Sequence, residues 1–364
     1  MSNRQNVYYW KCDRQSALQS FHKIGVNNRE FDFESSVNTL LTKIFGANSY
    51  LYRPADSQGN HINYIVESAG NNFFLRIENG SEGDKYMEVE AKVLDLVRSV
   101  GVPTPKVYAV DASRQNFPFS YQLIEHINAK DLNVLWKNGK VNLPSLGLLI
   151  GCYLAKWQQI QPPGFGLFNQ QILSQENALI GLHQTYKDYF FLNWDKHLDY
   201  LLTSEFINEN DYQEIYILVK ENSWCLQIET GVLVHKDLAL WNILGTERKV
   251  KSFIDWDDVI SGDPTDDISL LACYHSGQFI NSVLVGYQRV KELPENFLIR
   301  FWLHLLRNML VKAVIRIRYG YFNRDQTFFL IGKGESGEAL KNFTKGRIKL
   351  ACEGLKGKAN ITDL

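Results

Sequence analysis

The chain carries almost no net charge: 39 Lys and Arg stand against 40 Asp and Glu, a formal −1. Such a balance creates no field that would gather nucleic acid or an anionic membrane surface non-specifically. Cysteine is scarce as well. The five residues Cys12, Cys152, Cys225, Cys273 and Cys352 are odd in number, and none forms a Cys-x-x-Cys pair. A disulfide framework or a thiolate zinc site is therefore not expected, and reduced thiols are the simplest reading. Long apolar runs are also missing. The longest, Leu143 to Ala155, contains Pro144 and Ser145 and is too short to span a bilayer. The polar start, Met-Ser-Asn-Arg-Gln-Asn, is not followed by the apolar core of a signal peptide. No internal repeat or low-complexity tract is visible. Together these absences predict a soluble, cytoplasmic protein with neither a nucleic-acid nor a membrane partner.

What is present is ordinary globular material, 45% hydrophobic and 22% charged over 364 residues, enough for one large domain or two moderate ones. The first 35 or so residues show no clean periodicity, although Tyr8, Tyr9 and Trp10 could dock on a folded core. An amphipathic helix is predicted from Phe33 to Ile44. Short strands follow at 49–53, 63–67 and 73–77, the last two joined by the turn Ala69-Gly70-Asn71-Asn72. A helix over 86–99 places Val89, Val93, Leu96 and Val97 at helical spacing. Gly101-Val-Pro-Thr-Pro105 ends it, and strands at 107–110 and 120–124 complete a β-β-β-α-β-β pattern. After Ile127 the chain turns helical: 144–160, 188–202, 209–221, 267–285 and 296–318, with two short strands between Val232 and Trp256. The expected architecture is α+β, a small sheet lobe followed by a larger helical lobe. Residues 1–35 form an extension of unclear role, 36–126 one lobe and 127–364 the other. The cleft between such lobes is a favoured small-molecule site.

The strongest local signal is Gly231-Val-Leu-Val-His-Lys-Asp-Leu-Ala-Leu-Trp-Asn-Ile-Leu244, followed by a turn at 245–249 and a strand carrying Asp255. Folded as a hairpin, Asn242 and Asp255 come roughly opposite each other, with Asp237 just upstream. That geometry suits phosphoryl transfer, which needs in-line positioning and charge neutralisation more than covalent chemistry. Magnesium takes hard oxygen ligands, here the Asn242 amide and the Asp255 carboxylate. Asp237 remains to accept a proton from an attacking hydroxyl. His235 is grouped with it in the catalytic loop, more as a hydrogen-bonding brace than as a reacting group. The bland reading is a hairpin with ordinary surface polar residues. Two acids and an amide in this order, with Gly262-Asp263-Pro264-x-x-Asp267 just beyond, argue against it.

These motifs resemble the aminoglycoside phosphotransferase and choline kinase-like family of the protein-kinase-like superfamily. The resemblance rests on Val-His-Lys-Asp-Leu-Ala-Leu-Trp-Asn-Ile-Leu, Phe-Ile-Asp-Trp-Asp-Asp and Gly-Asp-Pro-Thr-Asp-Asp-Ile. It implies a bilobal protein-kinase-like fold, ATP or GTP as phosphate donor, Mg2+ on Asn242 and Asp255, Asp237 as base, and Asp267 as a support for the catalytic loop. Residues 57–66, including Gly59 and Asn63, resemble the turn over the nucleotide phosphates, whose backbone N–H groups could cradle oxygens. Arg76 stands where the family presents a phosphate-binding cation, and Glu90, in Glu90-Ala-Lys-Val-Leu94, fits the acid that orients it. Glu88 competes for that place. The segment 121–127 resembles the adenine-holding hinge, with backbone groups near Glu125 and Ile127. Three departures stand out: Lys236 replaces the usual Gly and could touch a phosphate or, the favoured reading, point to solvent; Gln158 replaces a common His, altering packing; and the first 35 or so residues match nothing in the family pattern.

Acceptor choice is expected to lie in 167–229 and the C-terminal helices. Asp188, Asp195, Asp199, Glu205, Glu209, Asp211 and Glu214, with Asp257 and Asp258 near the metal site, would favour a cationic acceptor such as an amino sugar or a choline-like amine. The competing reading is that these acids cover the wet faces of amphipathic helices. The leading expectation is a small-molecule kinase. The alternative is a non-catalytic nucleotide-binding scaffold or sensor. A protein kinase is disfavoured because no Asp-Phe-Gly or Ala-Pro-Glu sequence follows.

Overall fold

Alternating apolar residues draw the first strands into one antiparallel sheet. In the computed structural model, which describes residues 4–13, 33–55, 61–80, 83–324 and 337–364, this sheet is built from β1 (Leu51–Pro54), β2 (Ile62–Ser68), β3 (Asn71–Glu78), β4 (Val107–Asp111) and β5 (Ser120–Glu125). The spatial order is β1-β2-β3-β5-β4. The turn at Ala69-Gly70, both at positive φ, sets the β2–β3 register, so that Asn63 lies opposite Arg76 and Tyr64 opposite Leu75. Helix α1 (Phe33–Phe45) lays Val37, Leu40 and Leu41 onto Val66, Phe73, Leu75 and Ile77, forming a small core of its own.

Helix α2 (Tyr86–Ser99) crosses the lobe boundary. Val89, Val93 and Val97, spaced four apart, face the large core shared with the helical lobe. Tyr86 donates to the Val259 carbonyl at 2.7 Å, a buried tie between lobes. The chain leaves β5 through a short hinge, in which Ala129 N–H donates to the Ile127 carbonyl.

The second lobe contains the short strand β6 (Lys130–Asp131) and α3 (Leu132–Lys137), capped by Asp131. Then come α4 (Leu143–Trp157), capped by Asn142 with Pro144 in its first turn, β7 (Phe165–Phe168), α5 (Gln170–Glu176) and β8 (Gly181–His183). The predicted helix over 188–202 is two helices, α6 (Tyr186–Phe190) and α7 (Trp194–Thr203). They are parted by Asn193 in the left-handed region. Helix α8 (Glu209–Asn222) opens on an Asn208–Asp211 capping box.

Strands β9 (Val232–Val234), β10 (Ile243–Gly245), β11 (Val250–Phe253) and β12 (Ile260–Gly262) lead to α9 (Asp266–Ala272) and α10 (Gly277–Gln288). The chain closes with α11 (Phe297–Arg318) and α12 (Gly337–Leu355). Helices α4 and α10 cross closely through Gly147, Gly151 and Gly286, where an added Cβ would run into the opposing backbone. No helix among the described residues is long and apolar enough to cross a membrane.

Candidate active site

Strand β9 is wholly buried and delivers His235-Lys236-Asp237 to the lobe boundary. Its neighbour β12 pairs Ile260 with Val234, and the start of α9 brings Asp267 beneath the loop. Asp267 accepts from the backbone N–H groups of His235 (2.9 Å) and Lys236 (3.0 Å), fixing the loop's exit. His235 is wedged against Trp256, ring centres 4.3 Å apart. Its Nε2–H donates to the Ile254 carbonyl at 3.0 Å, and burial pushes its pKa down to about 4. A neutral ring bound in this way braces the loop and holds the hairpin to it.

Strands β10 and β11 pair Ile243 with Phe253, and Ile254 N–H donates to the Asn242 carbonyl at 3.0 Å. Asn242 and Asp255 thus both fall at the hairpin mouth, with Ile254 opposite Asn242. The Asn242 amide nitrogen donates to the Asp237 carbonyl oxygen (2.8 Å) and to its Oδ2 (3.2 Å). The amide oxygen is the end these bonds leave over. Asp255 sits at φ 65° with a third of its side chain exposed to the cleft.

Four carboxylates, Asp237, Asp255, Asp257 and Asp258, crowd this mouth. Burial, then the neighbouring Asp257, raises the Asp255 carboxyl well above the usual carboxylate range. The same two causes push Asp258 up to about 7. Asp258 is buried, and neither of its oxygens has a hydrogen-bond partner among the described residues. Such a surplus of negative charge and oxygen donors fits a hard divalent cation. For Asp237 the balance runs the other way: burial would raise its carboxyl, but Lys11 and Lys312 overrule this and hold it below the ordinary value.

From the sheet lobe, Arg76 on β3 reaches into the same region. Its Nη1 donates to Glu90 Oε2 (2.6 Å) and to Gln122 Oε1 (3.2 Å), and its Nη2 lies 3.6 Å from Asp255 Oδ1. Glu90 is buried, and its other oxygen accepts from Trp256 N–H at 3.1 Å. Glu88, the competitor, instead accepts from Ala112 N–H. Asn63 is buried on β2 opposite Arg76. At the hinge, Glu125 N–H donates to the Lys106 carbonyl, and the Ile127 carbonyl is taken by Ala129. Gly59 lies outside the described residues.

Lys236 departs from expectation. It does not reach solvent; it is 1% exposed, and its Nζ donates to Asp266 Oδ2 (2.7 Å) and Tyr8 Oη (3.0 Å). Its φ of 67° explains why glycine is usual there, since that region suits a residue without a Cβ. The helical acids also resolve. Asp188, Asp195, Asp199, Glu205, Glu209 and Asp211 are exposed, and Glu214 pairs with Lys356. They lie on wet, exposed surface.

Two site residues were invisible to motif reading. Tyr9 Oη donates to Asp237 Oδ1 at 2.7 Å, and Lys11 Nζ to Oδ2 at 2.6 Å. The aromatic run at 8–10 signalled docking, but nothing in the sequence said on what.

The profile of the phosphotransferase enzyme family matches residues 52–297. The chain belongs to that family and is a small-molecule kinase. No curated protein sequence matches it. Among solved structures, it is similar to a thermostable mutant of aminoglycoside phosphotransferase APH(4)-Ia in ternary complex with AMP-PNP and hygromycin B. The TM-score is 0.60 at 16% identity, over 88% of this chain and 98% of that one. A putative fructosamine-3-kinase from Haemophilus somnus gives 0.57 at 17%, over 86% and 96%. Spectinomycin phosphotransferase APH(9)-Ia, in complex with ADP and spectinomycin, gives 0.52 at 14%, over 89% and 98%. At these identities the likeness establishes the protein-kinase-like fold.

Proposed function

We propose that the chain moves the γ-phosphate of ATP or GTP to a hydroxyl of a small molecule, with Asp237 as base and Asn242 and Asp255 as magnesium ligands. The observation that carries this reading is the convergence of Asp237, Asn242 and Asp255 at one hairpin mouth, with the Arg76–Glu90 pair aimed at it from the other lobe. The nucleotides in the related complexes support the choice of donor.

Arg76 is held by Glu90 and Gln122, so its guanidinium meets phosphate oxygens already oriented. Asn242 and Asp255 offer two hard oxygens to Mg2+, which when bound neutralises charge on the phosphates. Asp237, ionised and anchored by Asn242, accepts the proton of the acceptor hydroxyl as the new P–O bond forms. His235 and Asp267 brace the loop that carries that carboxylate.

Lys11, Lys312 and the phenols of Tyr9 and Tyr274 gather around Asp237. We read the acceptor as a hydroxyl compound that is uncharged or anionic at its reacting end, rather than a polyamine. In a panel of polyols, sugar acids and amino sugars with Mg·ATP, ADP release identifies it. Asp237→Ala should keep Mg·ADP binding and lose about 10²- to 10⁴-fold in kcat. Normal turnover by that variant would remove Asp237 from the role of base.

A further inference from the structure

The N-terminal segment is held against both lobes. Arg4 pairs with Asp84 at 2.7 Å, its guanidinium lying 3.7 Å from the Trp10 ring centre and 3.6 Å from that of Tyr86. The Tyr8 carbonyl accepts from Tyr189 Oη at 2.6 Å, and the Cys12 carbonyl from Arg318 at 2.9 Å. Asp13 Oδ2 caps the backbone N–H groups of Tyr8 and Tyr9, while Asp13 Oδ1 pairs with His197 Nε2 at 2.8 Å. Arg307, an obligate donor, takes His197 Nδ1 at 3.0 Å, so Nε2 carries the hydrogen. The Cys12, Asp13 and His197 cluster is therefore a latch for this segment rather than a metal site. Tyr8, Tyr9, Trp10 and Cys12 are all buried in the main core.

This latch sets Lys11 beside the base. Its side chain is 27% exposed against 4% for Asp237, so Lys11 is the more open member of the pair. It also feels Asp255, Asp258 and Asp257. A carboxylate offers about four lone-pair positions. Tyr9, Lys11 and the Asn242 amide use three of them, leaving one on Oδ1 for an acceptor hydroxyl. An acceptor oxygen seated there must lie about 3 Å from the carboxylate, with the phosphorus about 3–3.5 Å beyond. The ammonium on Oδ2 shares that carboxylate and so lies within reach of the same point.

We propose that Lys11 is a catalytic residue supplied by the N-terminal segment, its ammonium contacting the terminal phosphoryl group as it passes from nucleotide to acceptor. The inference rests on the phosphotransferase reading above. In the step, the acceptor O–H proton goes to Asp237, and the acceptor oxygen bonds to the γ-phosphorus. The bond to the β–γ bridging oxygen breaks, and the nucleoside diphosphate leaves with that electron pair. Lys11 stays protonated throughout and stabilises the charge on the oxygens in transit.

Isothermal titration of the full chain with Mg·ADP and Mg·AMP-PNP tests this without knowledge of the acceptor. Lys11→Met should weaken Mg·AMP-PNP about 10-fold or more, the usual scale for a charge-assisted hydrogen bond. Mg·ADP, which lacks the terminal group, should shift less than about twofold. Lys11→Arg keeps the charge and should restore most of the AMP-PNP affinity; it also controls for folding, checked by circular dichroism. If Lys11→Met binds both nucleotides as the wild type does, or loses both equally, Lys11 does not meet the transferred group. A wild-type chain that binds neither nucleotide would overturn the phosphotransferase reading itself, and this inference with it.

Discussion

Replacing Lys236 by glycine restores the residue usual at that position in the family, yet it should destabilise this protein. The gain is relief of the left-handed backbone, about 1 kcal/mol, part of which glycine returns through its freer unfolded chain. The loss is the partner of Asp266, which is fully buried with Lys236 Nζ 2.7 Å away. Stranding a buried charge costs about 3–5 kcal/mol. Asn308 Nδ2, 2.8 Å from the other Asp266 oxygen, remains and favours the lower end. The net loss is therefore about 2–3 kcal/mol. With about 2.1 cal/mol/K per residue, the unfolding entropy of 364 residues is about 0.76 kcal/mol/K, so Tm should fall by about 3–4 °C. Differential scanning calorimetry reads this directly. Lys236→Gly/Asp266→Asn removes both charges and should recover most of the loss, giving a favourable coupling in a double-mutant cycle. A single variant melting at or above the wild type would refute the reasoning, because strain would then outweigh the ion pair.

Glu90→Gln keeps the shape of the side chain but removes the charge that holds Arg76, so Mg·ADP should bind about 10-fold more weakly by calorimetry. Gly151→Ala forces a methyl into the Val283 carbonyl at the α4–α10 crossing and should cost about 1–3 kcal/mol in urea unfolding. His275 is buried between Trp136 and Phe279, and burial, then Arg347, pushes its pKa down to about 3. The native ring stays neutral while the unfolded one gains a proton below about pH 6.5. The stability it permits is therefore complete above that pH and is lost as pH falls toward 3. His275→Phe should remove this loss, so that between pH 6.5 and 5 the wild type falls about 2 kcal/mol more than the variant in urea midpoints.

The parts of the site that could be read from sequence are those whose partners are close along the chain. His235, Asp237, Asn242 and Asp255 span one loop and one hairpin, and a turn at 245–249 is enough to bring them together. The sheet lobe was similarly legible, because period-2 strands and the Ala69-Gly70 turn act locally. The burial of Lys236 is not legible locally because its partner Asp266 is set by how α9 docks, while the neighbouring Asp267 takes the loop's backbone N–H groups. The 188–202 segment was read as one helix because apolar spacing continues across Asn193, whose left-handed φ leaves no trace in that pattern. Tyr9 and Lys11 were missed for the same reason at longer range. Their roles are set entirely by a surface more than 220 residues away.

That separation has a consequence for how the protein is made. Tyr9 and Asp237 are 228 positions apart, and the Lys11 carbonyl binds Tyr319 across 308. Tyr9 and Lys11 must wait for most of the helical lobe before their resting place exists. Loops of this length close late, after local helices and hairpins have formed. The sheet lobe and the Asp237 hairpin can therefore form before Lys11 arrives, and the arrival of the N-terminal strap becomes the closing event of folding. A stopped-flow signal from Trp10, which stacks with Arg4 in that strap, should lag behind the gain of secondary structure.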